Sequence, residues 1–555
     1  MTRETHSETC WQAYWDGIVS NYSWEMKMTP TKSSGVAGSP RAWRGSLFAT
    51  AAIIVGGLAT LFAAAAEAQE IKRGGTLIMA RPDEPLTFDP FIPGDNGSIY
   101  AIEQVCDALV EADATGLGLR PGIAESWEVS PDGLTYDFKI RDAKFSNGEP
   151  VTVDDIVFTL ETLRDPSKYL AFVLKPVKAV TATDAQHIRI ELSEPYAPLL
   201  SALSAYAASI VNKKAYQADA EAFGSAPVCA GAFMVESYER GSTVVLKANP
   251  HYWDMGKDGK PLPYLEGVEL RYVPESNSRV LGLRNGDYDV ISTVAFNQAK
   301  SLEGDSKLVV KSTPIFRLDY VYLNHQKAPL NNRDFRLALN YAADRDAILK
   351  AVYFGYGEVP NSYMPKVNFH DDKVAVIPFD VEKAKELVKS SGYDGSVIQI
   401  MVDTGNAPSR QVATILKQGW EQAGIKSEIV EFDVGTAWTM STKGEHQAYV
   451  SYITSDINDT DELATIQADV TAGSQAFFSW YDNKDVQGWL TEARGASDPA
   501  KRAELYSKVQ AQTYGDGYSV PLNFAPVING SQAYVKDFTQ LANGWWWLKD
   551  VWLDK

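Results

Sequence analysis

One stretch limits the folds open to this chain. From Gly118 to Leu163 it reads GLRPGIAESWEVSPDGLTYDFKIRDAKFSNGEPVTVDDIVFTLETL. Trp127 and Val129 alternate with polar neighbours, and Ser130-Pro131-Asp132-Gly133 makes a turn. Leu134, Tyr136, Phe138 and Ile140 then alternate with Thr135, Asp137, Lys139 and Arg141. Successive strand residues point to opposite faces, so this period across a Pro-Asp-Gly turn predicts a β-hairpin with one buried face. Asn147-Gly148 marks a second turn. Val153, Ile156, Val157, Leu160 and Leu163 recur at helical spacing behind Thr152. That hydroxyl is placed to cap the helix, with Asp155 returning the bond from three residues on.

The same residues carry a family resemblance. Arg120 to Trp127 (RPGIAESW), Asp132 to Phe138 (DGLTYDF) and Phe145 to Ile156 (FSNGEPVTVDDI) stand in the order seen in the family 5 extracellular solute-binding proteins of ABC transporters. A second block, Ala226 to Trp253, resembles the same family through Gly231, Phe233, Gly241, Asn249, Pro250, Tyr252 and Trp253; Cys229 and Ala232 depart from its pattern. The resemblance implies an α/β, two-lobed periplasmic-binding-protein fold of type II, of the large cluster C kind, with an extra subdomain in the first lobe. It also implies a solute held between the lobes and passed to a membrane permease with its ATPase subunits.

The chain is long enough for such an arrangement, since 555 residues exceed what one hydrophobic core organises. Its net charge of −19 argues against nucleic acid or an anionic membrane as partner, because both select a basic face. Arg41 and Arg44 precede an apolar run from Leu47 to Ala66, and Ala66-Glu67-Ala68 fits a signal-peptidase site. The run is long enough for a membrane anchor, but its Ala and Gly content and the A-x-A site favour a cleaved leader and a periplasmic protein. No cysteine follows the site, so a lipid anchor is not expected. Met26 and Met28 are alternative starts.

The expected organisation is a leader and upstream extension over 1–68 and a first lobe over 69–315, with an inserted subdomain near 113–225. A second lobe follows over 316–519, and residues 520–555 return to the first. Gly74 to Ala80 reads as the first strand, and Phe316 to Asn324 as a strand near the crossing. Asp380 caps a helix over Val381 to Ser390. Val397–Val402, Arg410–Ala423 and Ile425–Phe432 form a strand–helix–strand unit with a parallel pair. Val520 to Phe524 is expected to be the returning strand. The mature cysteines, Cys106 and Cys229, are either a disulfide, which export permits, or two buried thiols.

Catalytic signatures are missing. There is no G-x-S-x-G, H-E-x-x-H or C-x-x-C. The histidines His187, His251, His325, His370 and His446 are scattered. Asp254 to Leu265 opens like a calcium loop, but Leu265 stands where the bidentate Glu belongs, so a plain turn is expected. The chain is therefore read as a binder with no cofactor and no metal, monomeric, rather than an enzyme. The rival readings are a periplasmic hydrolase on the same fold and a sensory or chaperone-like binder without transport.

Gly444 to Asp461 (GEHQAYVSYITSDINDTD) resembles the segment of dipeptide binders in which the first Asp of a D-x-x-D pair meets the ligand's ammonium. The matching residues are Asp456 and Asp459. Without the resemblance they read as an acidic loop capping the helix that begins near Glu462. Two departures stand out. Ile453-Thr454-Ser455 replaces an aromatic wall, and the arginine that serves the peptide carboxylate falls on Val402 or Asp403. Arg410 and Arg317 are the candidate substitutes. The ligand-binding set expected is Asp456, Asp459, Tyr449, Tyr452, Arg410 and Trp480, with Tyr320, Tyr322 and Tyr481 nearby. An amine-bearing ligand or a peptide fits that set. Trp545-Trp546-Trp547 is expected to pack on the first lobe. If the leader is cleaved as read, the mass of the exported protein will correspond to a chain starting at Gln69.

Overall fold

The structure is a computed structural model and describes residues 70–92, 95–472 and 478–555. The leader and its cleavage site lie outside the described residues. Among those described, no helix is long and apolar enough to cross a membrane.

The hairpin forms where the alternation places it. Strands Ala124–Val129 and Thr135–Ile140 pair antiparallel, with Trp127 opposite Phe138 and Val129 opposite Tyr136. Tyr136, Phe138 and Ile140 are buried. Val129 is exposed, because it ends an edge strand whose register shifts between Ala124 and Ser126. His187–Leu192 and Val177–Ala182 complete a four-stranded sheet. Helix Val153–Leu163 lies against it, sending Ile156, Leu160 and Leu163 into the same core. Its start is a reciprocal cap: the Thr152 hydroxyl accepts from the Asp155 N–H, and Asp155 accepts from the Thr152 N–H at 2.9 Å.

This unit hangs from a larger sheet. Seven strands run in the order 308–313, 527–532, 290–291, 76–81, 267–272, 243–248 and 233–239. Thr76–Arg81 pairs parallel with both neighbours, and the outer strands are antiparallel. Cys106, at the end of helix Asn96–Val105, is joined to Cys229, just before strand Phe233–Glu239, with 4.8 Å between their Cα atoms. The bridge closes the neck through which the four-stranded unit leaves and rejoins this lobe. Gly231 makes the neck possible, since a Cβ there would fall 2.4 Å from the Val105 carbonyl carbon.

The second lobe is a five-stranded sheet in the order 427–432, 398–403, 448–454, 317–323 and 519–523. Ile398–Asp403 pairs parallel with Ser427–Phe432, joined through helix Ala407–Gln422, as the strand–helix–strand pattern predicts. Asp380 caps Val381–Ser390, and Gly392 adopts the positive φ of a helix stop.

The expected return strand belongs elsewhere. Ser519–Asn523 pairs with Arg317–Leu323 inside the second sheet, and the chain rejoins the first sheet only with Val527–Gln532. Val520 and Leu522 are fully buried in the second lobe's core, which holds the strand there. Among the described residues, the lobes are thus joined by two neighbouring crossings, 314–316 and 524–526. Trp545 and Trp546 are buried against the first lobe.

If the neck is bridged as described, unfolded unreduced protein will contain no free thiol in its mature part. Replacing Cys106 and Cys229 by Ala will lower unfolding stability by about 2–5 kcal/mol, measured by denaturant titration.

Candidate functional site

A cavity of about 810 Å³ opens between the lobes beside the two crossings. The first lobe supplies Ser276, Asn277 and Gln298, and the crossing supplies Pro526. The second lobe supplies Tyr322, Trp438, Tyr449, Tyr452 and Phe478 as aromatic walls, with Asp403, Asp319 and Arg317 among them.

Asp403 is the last residue of strand Ile398–Asp403, and Asn406 caps the helix that follows. A parallel strand ends here, and the crevice beyond the carboxyl ends of such strands is where α/β sheets hold ligands. The Asp403 side chain is buried, and the Tyr449 hydroxyl donates to it at 2.8 Å. No Lys, Arg or His among the described residues pairs with it. Burial pushes its carboxyl up to about 6, against the pull of the Tyr449 hydrogen bond. The Arg317–Asp319 pair on the same sheet is internally balanced. Arg317 donates to Asp319 at 2.7 Å, the Tyr353 hydroxyl donates to the second Asp319 oxygen at 2.7 Å, and the guanidinium lies 4.0 Å over the Tyr452 ring.

The residues expected from sequence divide in two. Tyr449 and Tyr452 line the cavity. Tyr322 joins them, whereas Tyr320 is fully enclosed and Tyr481 donates to Asp516 at 2.8 Å. Arg410 does not reach the cleft. Its side chain is 60% exposed and is ion-paired with Glu431 on the neighbouring strand. Trp480 packs near Gly444 and His446 instead.

Asp459 is spoken for: it caps helix Thr460–Ala468 and takes both arms of Arg502, at 2.7 and 2.9 Å. A buried carboxylate held so is structural, because solvent no longer compensates either charge. Asp456 is half-buried and lies outside the cavity lining. Burial pushes its carboxyl and that of Glu462 up, and each charge opposes the other. Asp254, of the calcium-like loop, is occupied by Arg120 at 2.6 Å and Lys549 at 3.4 Å.

Asp403, Trp438 and Phe478 are among the lining residues that sequence reasoning missed. Asp403 was visible only as the residue in place of an expected arginine; the added signal was its position ending a buried parallel strand. Trp438 and Phe478 carry no motif and reach the cavity only through tertiary packing.

Residues 118–475 match the bacterial extracellular solute-binding proteins, family 5 Middle. The chain is 27% identical over 497 residues to heme-binding protein A of Haemophilus influenzae, covering 83% of this chain and 90% of that one. It is 25% identical over 476 residues to the glutathione-binding protein GsiB of Escherichia coli K12, covering 84% and 90%. In structure it resembles the ABC transporter-associated periplasmic binding protein DppA from Helicobacter pylori in complex with the peptide STSA. The TM-score there is 0.76 at 25% identity, covering 87% of this chain and 99% of that one.

Arg502→Ala will strand Asp459 and lower unfolding stability by about 3–5 kcal/mol, whereas Arg410→Ala will stay within about 0.5 kcal/mol of wild type; denaturant titration separates them. The two lobes, the cleft and the matched sequence agree: this chain belongs to family 5 of the bacterial extracellular solute-binding proteins, with the two-lobed type II fold, and serves as the solute-binding component of an ABC transporter.

Proposed function

We propose that the solute is a small molecule bearing an amine or other cationic group, and that Asp403 is its anchor. The observation that carries this reading is a buried carboxylate, without a cationic partner among the described residues, facing an aromatic-walled cavity. A carboxylate in such a place is costly unless a cation meets it, and a charge-assisted hydrogen bond from an ammonium meets it well. The Tyr322 and Trp438 rings line the same cavity, and aromatic rings attract a cation. Tyr449 fixes the orientation of the anchor. The relatives named above bind heme, glutathione or a peptide, so the family accommodates varied solutes and the choice rests on the cleft's own residues.

Capture follows from the hinge. A solute touching both lobes favours the closed form, and closure presents one surface to the permease. The protein is read as a monomer exported by its cleavable leader to the periplasm, where it meets a permease with ATPase subunits. A peptide remains the second reading, favoured by Arg317 lining the same cavity. A peptide carboxylate there would have to share that guanidinium with Asp319.

Calorimetry with a panel of amines, amino-acid amides and short peptides tests the proposal. Amines will bind more tightly than hydroxyl analogues of the same shape, and Asp403→Asn will weaken them roughly 10–100-fold. Asp403 must be ionised to hold a cation, and its carboxyl titrates at about 6 in the free protein. Affinity will therefore fall roughly tenfold as pH drops from 7 to 5, and Asp403→Asn will abolish that dependence. Amines binding no better than their neutral analogues would overturn the reading.

A further inference from the structure

The acidic stretch that resembles an ammonium anchor is doing something else. Glu462 sits in the first turn of helix Thr460–Ala468 and is buried. One of its oxygens gathers the preceding loop: the Asp456 N–H donates to it at 3.1 Å and the Ile457 N–H at 3.2 Å. The Ser455 hydroxyl lies 2.6 Å from the same oxygen and 2.7 Å from the Ile457 carbonyl. With these bonds made, residues 455–458 form a tight loop whose tip presents Ile457 and Asn458.

Both tip residues leave their own lobe. Ile457 is 2% exposed and packs in the hydrophobic core of the first lobe, the one second-lobe side chain in that core among the described residues. The Asn458 amide donates to the Leu117 carbonyl, and the Ser201 hydroxyl lies 3.5 Å from the Asn458 carbonyl. Nearby, the Ala197 N–H donates to the Arg494 carbonyl at 2.9 Å, a further tie between the inserted subdomain and the second lobe. None of these residues lines the cavity. The ties run from protein to protein.

We infer that Glu462 is a positioning residue for lobe closure. Its carboxyl shapes the Ser455–Asn458 loop into a clasp that inserts Ile457 into the first lobe and so biases the lobes toward the closed form before any solute enters. The inference rests on two-lobed solute capture and not on the amine reading.

Small-angle X-ray scattering on exported protein, freed of solute by unfolding, dialysis and refolding, tests it. Ile457→Asn and Glu462→Ala will show a larger radius of gyration than wild type, with unchanged circular dichroism. Glu462→Gln keeps an acceptor oxygen and will match wild type. Should Glu462→Ala not refold, Ile457→Asn carries the comparison, since its side chain belongs to a loop tip. Ile457→Asn scattering identically to wild type would overturn the clasp. Expansion of Glu462→Gln to match Ile457→Asn would overturn the role given to Glu462. The measurement uses no ligand, so its failure is separate from a failure of Asp403 to bind amines.

Discussion

Everything that this protein does with a solute depends on how few times the chain passes between its lobes. The passages at 314–316 and 524–526 are flanked by antiparallel pairs on both sides: Thr313 lies opposite Val527 in one sheet, and Asp319 opposite Asn523 in the other. Each lobe holds both passages in register, so the passages bend together. Two neighbouring crossings leave a hinge as the easy motion, whereas sliding would break ladder hydrogen bonds in both sheets. The cavity opens beside this hinge, with Pro526 in its lining, so a small rotation there changes the whole width of the cleft.

Charge is distributed in the second lobe so that most buried carboxylates are already answered. Asp459 has Arg502, Asp461 has Arg494, and Asp319 has Arg317 and Tyr353. These pairs hold helices and strands in place, and their worth lies in the penalty of separating them. Asp403 differs in having, among the described residues, the Tyr449 phenol as its side-chain partner and no cation, and in lining the cavity. Burial raises its titration point, and the Tyr449 hydrogen bond pulls the other way. The contrast between answered and unanswered carboxylates separates scaffold from site more sharply than acidity alone does.

Local periodicity was legible wherever neighbours in sequence are neighbours in space. The hairpin, the Thr152–Asp155 cap, the Asp380 cap and the parallel strand–helix–strand unit all follow from alternation, spacing and capping chemistry. The site was less legible because its groups come from strands far apart in the chain. Tyr449 reads as a cleft residue because it lies on an alternating aromatic strand, and it does line the cavity. Asp459 reads from its own neighbours as part of a capping loop and from the resemblance as part of an anchor pair; the position of Arg502, on a helix that begins at Pro499, shows which. Arg410 looks available in sequence, but its helix turns it toward Glu431.

The sequence by itself determined the family, the two-lobed α/β fold, the hairpin, the helix caps and the parallel strand–helix–strand unit, because these depend on short-range patterns and on motifs that stand in order. Tertiary structure alone decided that Ser519–Asn523 stays in the second lobe, that Cys106 meets Cys229 at a neck, and that Asp403 rather than Asp459 faces the cleft. Each of these turns on which distant groups come within a few ångströms. A buried charge becomes scaffold when a partner is there and a candidate anchor when none is, and no residue's own neighbours in the chain encode that difference.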